Sequence, residues 1–137
     1  GSPGDAARPN LLLGHWPRSG EGMNDQYQVY GNFLDDNPHE ALFQAEGNVA
    51  FYSNVLRNRY GLGIVIQPHN DVPREIRIFH NTVISSGEPI VVRTNERTPA
   101  NRQFVRANAV FSPHPIRGAA DPVPVRRHRP RYRAVLR

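Results

Sequence analysis

"IFHNTVIS", residues 78–85, sets an asparagine, Asn81, inside an apolar run of Ile78, Phe79, Val83 and Ile84. Asparagine is depleted in strands and favoured in turns, so a lone strand is a poor account of this segment. The same arrangement recurs in "QVYGNFL" at Asn32, "AFYSNVL" at Asn54 and "FVRANAV" at Asn108, at spacings of 22, 27 and 27 residues. Three residues before each asparagine stand Val29, Phe51, Ile78 and Val105. Two residues after it stand Leu34, Leu56, Val83 and Val110. Between the first column and the asparagine lies Gly31, Ser53, His80 or Ala107, mostly small.

A second strand-like run follows each of the first three asparagines: "ALFQ" 41–44, "GIVIQ" 63–67 and "PIVVR" 89–93. Period-2 alternation predicts Leu42, Ile64 and Ile90 as one inward column and Gln44, Ile66 and Val92 as the next. It turns Phe43, Val65 and Val91 outward as an apolar column that invites a cover. The change of period from 22 to 27 falls at one corner, in "AEGN" 45–48, "QPHNDVPRE" 67–75 and "RTNERTPANR" 93–102. Insertions that collect on one rim while strands keep register are the mark of a solenoid. The runs are too short for helices and rich in Val, Ile and Phe with interspersed Gly and Pro. A leucine-rich repeat lacks its leucines here, and a sandwich has no reason to keep an asparagine in register.

The pattern apolar-x-x-Asn-x-apolar, followed by Gly-Ile-x-Ile, resembles the right-handed parallel β-helix proteins of the pectate-lyase-like class. The fold expected is therefore all-β, a right-handed parallel β-helix solenoid with 22–27-residue coils over 27–118. Residues 1–26, with "NLLLGHW" at 10–16, read as a partial preceding coil and rim loop. Residues 119–137 read as a basic Pro/Arg-rich tail without order. Asn32, Asn54, Asn81 and Asn108 are expected to stack as a structural ladder at a turn, where asparagine tolerates the left-handed conformation and its amide bonds its neighbour.

Composition bounds the rest. The 137 residues fit one domain. All 17 basic residues are arginine, and the formal net charge is +5. The segment "RRHRPRYRAVLR", 126–137, holds six of the arginines, which leaves 11 against 12 acids elsewhere, so the body is nearly neutral. Without cysteine there are no disulfides or thiolate metal sites. No apolar run reaches about 18 residues, so no transmembrane helix is expected. No signal peptide is visible, and the chain opens without methionine. The tail's charge, with Tyr132 and His128 interleaved, is a weak nucleic-acid signal beside its proline and lack of periodicity.

For chemistry, the enlarged rim "QPHND" is the candidate. His69, Asp71 and Arg93 are the expected catalytic residues, and Gln67, Arg74, Tyr30 and Tyr52 the expected substrate contacts. Glu46 and His80 are expected nearby. A basic residue with a carboxylate partner can abstract a proton alpha to a uronate carboxyl, and arginine can hold that carboxylate by paired hydrogen bonds. The resemblance implies a carbohydrate-interacting protein, extracytoplasmic, possessing or belonging to a polysaccharide lyase or hydrolase. A non-catalytic structural or adhesive solenoid, or a fragment without its active site, is the alternative. No cofactor is expected: the calcium that such lyases use needs about 6–8 oxygen ligands, and no dense acidic cluster supplies them. His15, His69 and His80 lack zinc spacing. Tyr30, Tyr52, Phe79 and Arg106 form an outward column that reads as a sugar platform or a stacked ladder. Asp35 and Arg57 read as a cross-coil ion pair, and "DDNP", 35–38, as a polar turn. Uncapped coil edges and the apolar outer column lead to an expectation of end-to-end self-association.

Overall fold

The computed structural model describes residues 7–14, 17, 19–93 and 101–118. The 119–137 tail, His15 and most of the 93–102 corner lie outside the described residues. Twelve short strands follow one another: β1 (Leu11–Leu13), β2 (Tyr27–Tyr30), β3 (Phe33–Asp35), β4 (Phe43–Ala45), β5 (Gly47–Tyr52) and β6 (Val55–Asn58). They continue with β7 (Ile64–Ile66), β8 (Pro73–Phe79), β9 (Thr82–Ser85), β10 (Ile90–Val92), β11 (Gln103–Arg106) and β12 (Ala109–Phe111). They stack as three four-stranded sheets, which we call A (β1-β4-β7-β10), B (β2-β5-β8-β11) and C (β3-β6-β9-β12). Every strand pairing among the described residues is parallel. The chain is thus an all-β parallel solenoid in which each coil contributes one strand to each sheet.

The apolar columns fill its interior. Val29, Phe51, Ile78 and Val105 are in register on sheet B, and Leu34, Leu56, Val83 and Val110 on sheet C. All eight belong to or pack against one core. On sheet A the expected register is off by one in the first copy. Phe43, not Leu42, pairs with Ile64, and Ala45, not Gln44, with Ile66. Gln44 instead joins Leu12, Val65 and Val91 on the outer face. The shift puts a phenyl ring inside, stacked on Phe51 at 4.1 Å between centroids, and keeps an amide out of the apolar interior, where it would cost free energy without partners. Leu42 packs inward as well, from the bend before β4. The outer column is not an open apolar stripe. Val65 and Val91 are only 1% and 3% exposed and cluster with Ala41 and Leu62.

The corner between sheets B and C has two residues in every coil, ending on Asn32, Asn54, Asn81 or Asn108. The asparagine is not the left-handed residue there. The residue before it is, with φ of 69° at Gly31, 53° at Ser53, 54° at His80 and 53° at Ala107. The asparagine supplies hydrogen bonds instead. Nδ2 of each donates to Oδ1 of the next, at 2.9, 3.1 and 3.0 Å down the stack. The same Oδ1 accepts the backbone N–H of the asparagine one coil earlier, at 3.0 Å in each case. Nδ2 also reaches carbonyls of its own coil and the preceding one, as Asn81 does to Phe79 (3.1 Å) and Phe51 (3.0 Å).

A second polar column, not anticipated above, closes the corner between sheets C and A. Asn58 and Ser85 are in register. Asn37 N–H donates to Asn58 Oδ1 (3.3 Å), and Asn37 Nδ2 to Asn10 Oδ1 (2.9 Å). Ser85 and Ser112 both donate to the Gly87 carbonyl at 2.8 Å. Coils approach so closely here that a Cβ on Gly63 would lie 2.4 Å from the Pro89 carbonyl oxygen.

Three substitutions test the ladder and its corner. Asn81 is 1% exposed, and its removal strands the buried Asn54 N–H as well as neighbouring carbonyls. At about 1–3 kcal/mol for an orphaned buried group, Asn81→Ala should lower unfolding free energy by about 3 kcal/mol in urea denaturation. Asn32→Ala, at the exposed edge of the stack, should cost about 1 kcal/mol or less. Ala107 holds a left-handed φ that disfavours a Cβ, so Ala107→Gly should raise stability by about 0.5–1 kcal/mol in the same assay, net of glycine's entropy.

Candidate functional site

The corner between sheets A and B varies from coil to coil: 14–26, then Glu46 alone, then 67–72, then 93–102. Its acids are built into the rim. Glu46 is 1% exposed, and its carboxylate accepts the backbone N–H groups of His69 (2.6 Å) and Asn70 (2.9 Å). It thereby ties the corner of one coil to the loop of the next. Asp71, 3% exposed, accepts Val72 N–H at 2.7 Å and pairs with the Arg74 guanidinium. Arg74 also donates to the carbonyls of Met23 (2.5 Å) and Pro17 (3.2 Å). It therefore clasps the 14–26 loop onto the 67–72 loop across two coils.

These contacts sort the expected site residues. Gln67 and Arg93 do meet, with Arg93 Nη1 donating to Gln67 Oε1 at 3.3 Å. Asp71 and Arg74 meet each other. His69 is exposed on the same loop, held through its backbone rather than its ring. His80 is elsewhere: it sits at the B–C corner, edge-on to Phe79 at 5.3 Å, because the ladder geometry fixes it before Asn81. Among the described residues no three His, Asp or Glu side chains converge as metal ligands.

Tyr30, Tyr52 and Phe79 lie on the outer face of sheet B. Their rings stack on one another at 5.1 and 5.0 Å, 14° and 6° from parallel. Stacked faces are consumed by their neighbours, so the column shows ring edges to solvent. The two end rings of the stack, Tyr30, which is 59% exposed, and Phe79, each keep one face that no other ring of the column covers.

The whole outer face of sheet B follows the asparagine count. Two, four and six residues before each asparagine stand Tyr30, Gln28 and Gln26, then Tyr52, Ala50 and Asn48. Phe79, Arg77 and Glu75 come next, then Arg106, Phe104 and Arg102. Pairings support the grid, with a bulge beside Asn48, whose Oδ1 accepts Glu75 N–H at 3.2 Å. Where this face meets the rim, a depression of about 370 Å³ is lined by Met23, Asn24, Gln26, Asn48, Arg74, Glu75 and Asn101. Of these, Arg74 alone is among the site residues expected from sequence. Gln26, Asn48 and Glu75 were legible as a polar column six residues before the asparagines of the ladder, whereas Met23, Asn24 and Asn101 sit in the variable corners and follow no count. At the other end of the face, a depression of about 600 Å³ is bordered by Arg77, Phe79, His80, Arg102, Phe104 and Arg106.

On sheet C, Arg57 pairs with Asp35 through two 2.7 Å hydrogen bonds, one coil apart, as the sequence predicts. Arg59 pairs with Asp36. The hydrogen bonds from Arg57 and Arg59 hold the Asp35 and Asp36 carboxyls below their ordinary values, with the nearby positive charge adding to the effect. "DDNP" is thus a charge-paired turn rather than an acid–base pair.

Comparison with family models, with curated proteins and with solved structures found no match for this chain.

Folding lowers the pKa of both aspartates, so their contribution to stability is present above the ordinary aspartate value of about 3.9. It is lost as pH falls through their lower folded-state values. Carboxyl carbon chemical shifts of Asp35 and Asp36 should therefore titrate below that value. Arg57→Gln should return the Asp35 midpoint toward it, and salt should shrink the difference because the pairs are exposed.

Proposed function

We propose that this chain is a carbohydrate-binding β-solenoid that holds a polysaccharide on the outer face of sheet B, at the rim. The observation that carries this reading is the amide-rich depression lined by Asn24, Gln26, Asn48, Asn101, Arg74 and Glu75. An asparagine or glutamine amide offers donors and an acceptor side by side, which suits neighbouring sugar hydroxyls. Asn24 and Gln26 are exposed and present those groups, while Asn48, bonded to the Met23 carbonyl and the Glu75 N–H, and the Arg74 clasp hold the loop that carries them. The open face of Tyr30 lies on the same sheet, two positions from Gln28. Sites of this kind are largely preformed, and here the supports are backbone-anchored.

Binding is favoured over bond breaking by the state of the rim acids. Glu46 and Asp71 are buried and already accept N–H groups or an arginine, so neither stands ready as a general base. His69 keeps an exposed ring on the loop, whereas Arg93, also exposed, is bonded to Gln67. A solenoid of this kind would act outside the cytoplasm, where polysaccharides are met. The competing role is that of a scaffold, and the self-satisfied aromatic stack on sheet B favours it.

Isothermal titration against neutral and acidic oligosaccharides distinguishes these roles. Gln26→Ala, at an exposed position, should weaken glycan binding about tenfold, with circular dichroism unchanged. Absorbance near 235 nm, for unsaturated ends, and reducing-sugar release should both stay flat. An absence of binding to every glycan would leave the scaffold role. Product formation lost in His69→Ala would restore catalysis to the rim.

A further inference from the structure

The fourth coil breaks the charge balance of its face. Several charged side chains of the stack pair with the opposite sign: Asp35 with Arg57, Asp36 with Arg59, Glu75 with Arg77, Glu88 with Arg117. Arg102 and Arg106 have no carboxylate partner among the described residues. Both guanidiniums instead lie against one ring, 5.7 and 5.8 Å from the centroid of Phe104. Arg77 stands directly over Phe104 on the preceding strand, and His80 closes the border at the B–C corner. Glu75, bonded to Arg77, is the counter-charge nearby among the described residues. Like charges gathered in a concave, partly apolar setting raise the local potential and draw an anion. The aromatic ring lowers the cost of holding guanidiniums together, without neutralising them.

We propose that Arg77, Arg102 and Arg106, with His80 at the border, form a subsite for a tetrahedral oxyanion, the sulfate or phosphate ester of a sugar. A planar carboxylate is satisfied by one guanidinium fork. The forks of Arg102 and Arg106, with the Arg77 guanidinium beside them in the lining of the same depression and its own fork held by Glu75, offer more donors than one planar carboxylate uses and suit a group with three terminal oxygens. The depression, about 600 Å³, admits a monosaccharide unit as well as the ester, and Phe79 and Phe104 offer apolar surface for its ring. The subsite shares the outer face of sheet B with the amide-lined depression, joined through Glu75 and Arg77. Its sugar carrier therefore rests on the glycan-binding reading, whereas its oxyanion chemistry does not.

The test is titration of the full chain at low and high salt with one oligosaccharide in four forms: neutral, uronate, sulfated and phosphorylated. A sulfated or phosphorylated form should bind at least tenfold tighter than the neutral one at low salt and lose that advantage as salt rises. The tighter of the two esters identifies the source. Arg102→Gln and Arg106→Gln should each remove most of the preference and leave neutral binding unchanged, while Arg59→Gln on sheet C should have no effect. Arginine Nε–H resonances of Arg102 and Arg106 should shift on addition of the ester. Neutral binding with no ester preference would overturn the subsite and leave the glycan reading standing. Equal loss in Arg59→Gln, a uronate that matches the esters, or tighter binding of a single-stranded oligonucleotide would also overturn it. No binding of any form would overturn both.

Discussion

The two-residue corner between sheets B and C is the constraint on which the rest of the structure depends. A turn so tight leaves backbone donors and acceptors that the strands cannot pair, and buried orphans are costly. One asparagine per coil answers this in both directions. Its Oδ1 takes the N–H of the asparagine one coil earlier, and its Nδ2 reaches that coil's carbonyl and the next Oδ1. Aspartate has no donor and would stack like charges. Serine is too short to bridge. The asparagine ladder therefore fixes the vertical register, and with it every inward column. The strain of the corner falls on the preceding residue, which is why Ser53, His80 and Ala107 hold φ values that glycine would take without penalty.

A rigid corner on one side leaves variation to another. The A–B corner shrinks to Glu46 in one coil and widens to 67–72 in the next. Such loops need their own anchors, and buried carboxylates provide them. Glu46 binds the backbone of 69–70, and Asp71 orients Arg74 toward the 14–26 loop. The residues that look most reactive in sequence, acids beside a histidine in an enlarged loop, are the ones the rim consumes for its own support.

The sequence carries this fold in its periods. Val29, Phe51, Ile78 and Val105 are legible as core because a fixed count from the asparagine places them, and the structure keeps that count. Sheet A was less legible, since a variable corner precedes it: Leu42 and Phe43 are both apolar, and only the preference for Phe43 inside and Gln44 outside decides the register. The second ladder was hidden by one residue. Asp36 takes a left-handed φ of 44°, which displaces Asn37 from the position that Asn58 and Ser85 keep. Of the rim contacts, that of Arg93 with Gln67 follows a column of the repeat; the Arg74 clasp does not. The pairing of Arg74 with Met23, 51 positions away, belongs to no repeat, so no column announces it.

Stacking at about 4.8 Å treats side chains unequally. Amides gain from a like neighbour because each is both donor and acceptor, and aromatic rings gain by lying parallel, as Tyr30, Tyr52 and Phe79 do. Charges lose by it. A solenoid must therefore alternate signs down a charged column, as Asp35 over Arg57 does, or place the like charge beside something that tolerates it. The column of Tyr30, Tyr52, Phe79 and Arg106 ends by the second route: the stack of rings gives way to a guanidinium that lies against Phe104. The outer face of sheet B thus runs from amides and tyrosines in its first coils to arginines in its last. That gradient follows from what each step of the stack can bear, and it makes the two ends of the face chemically different surfaces.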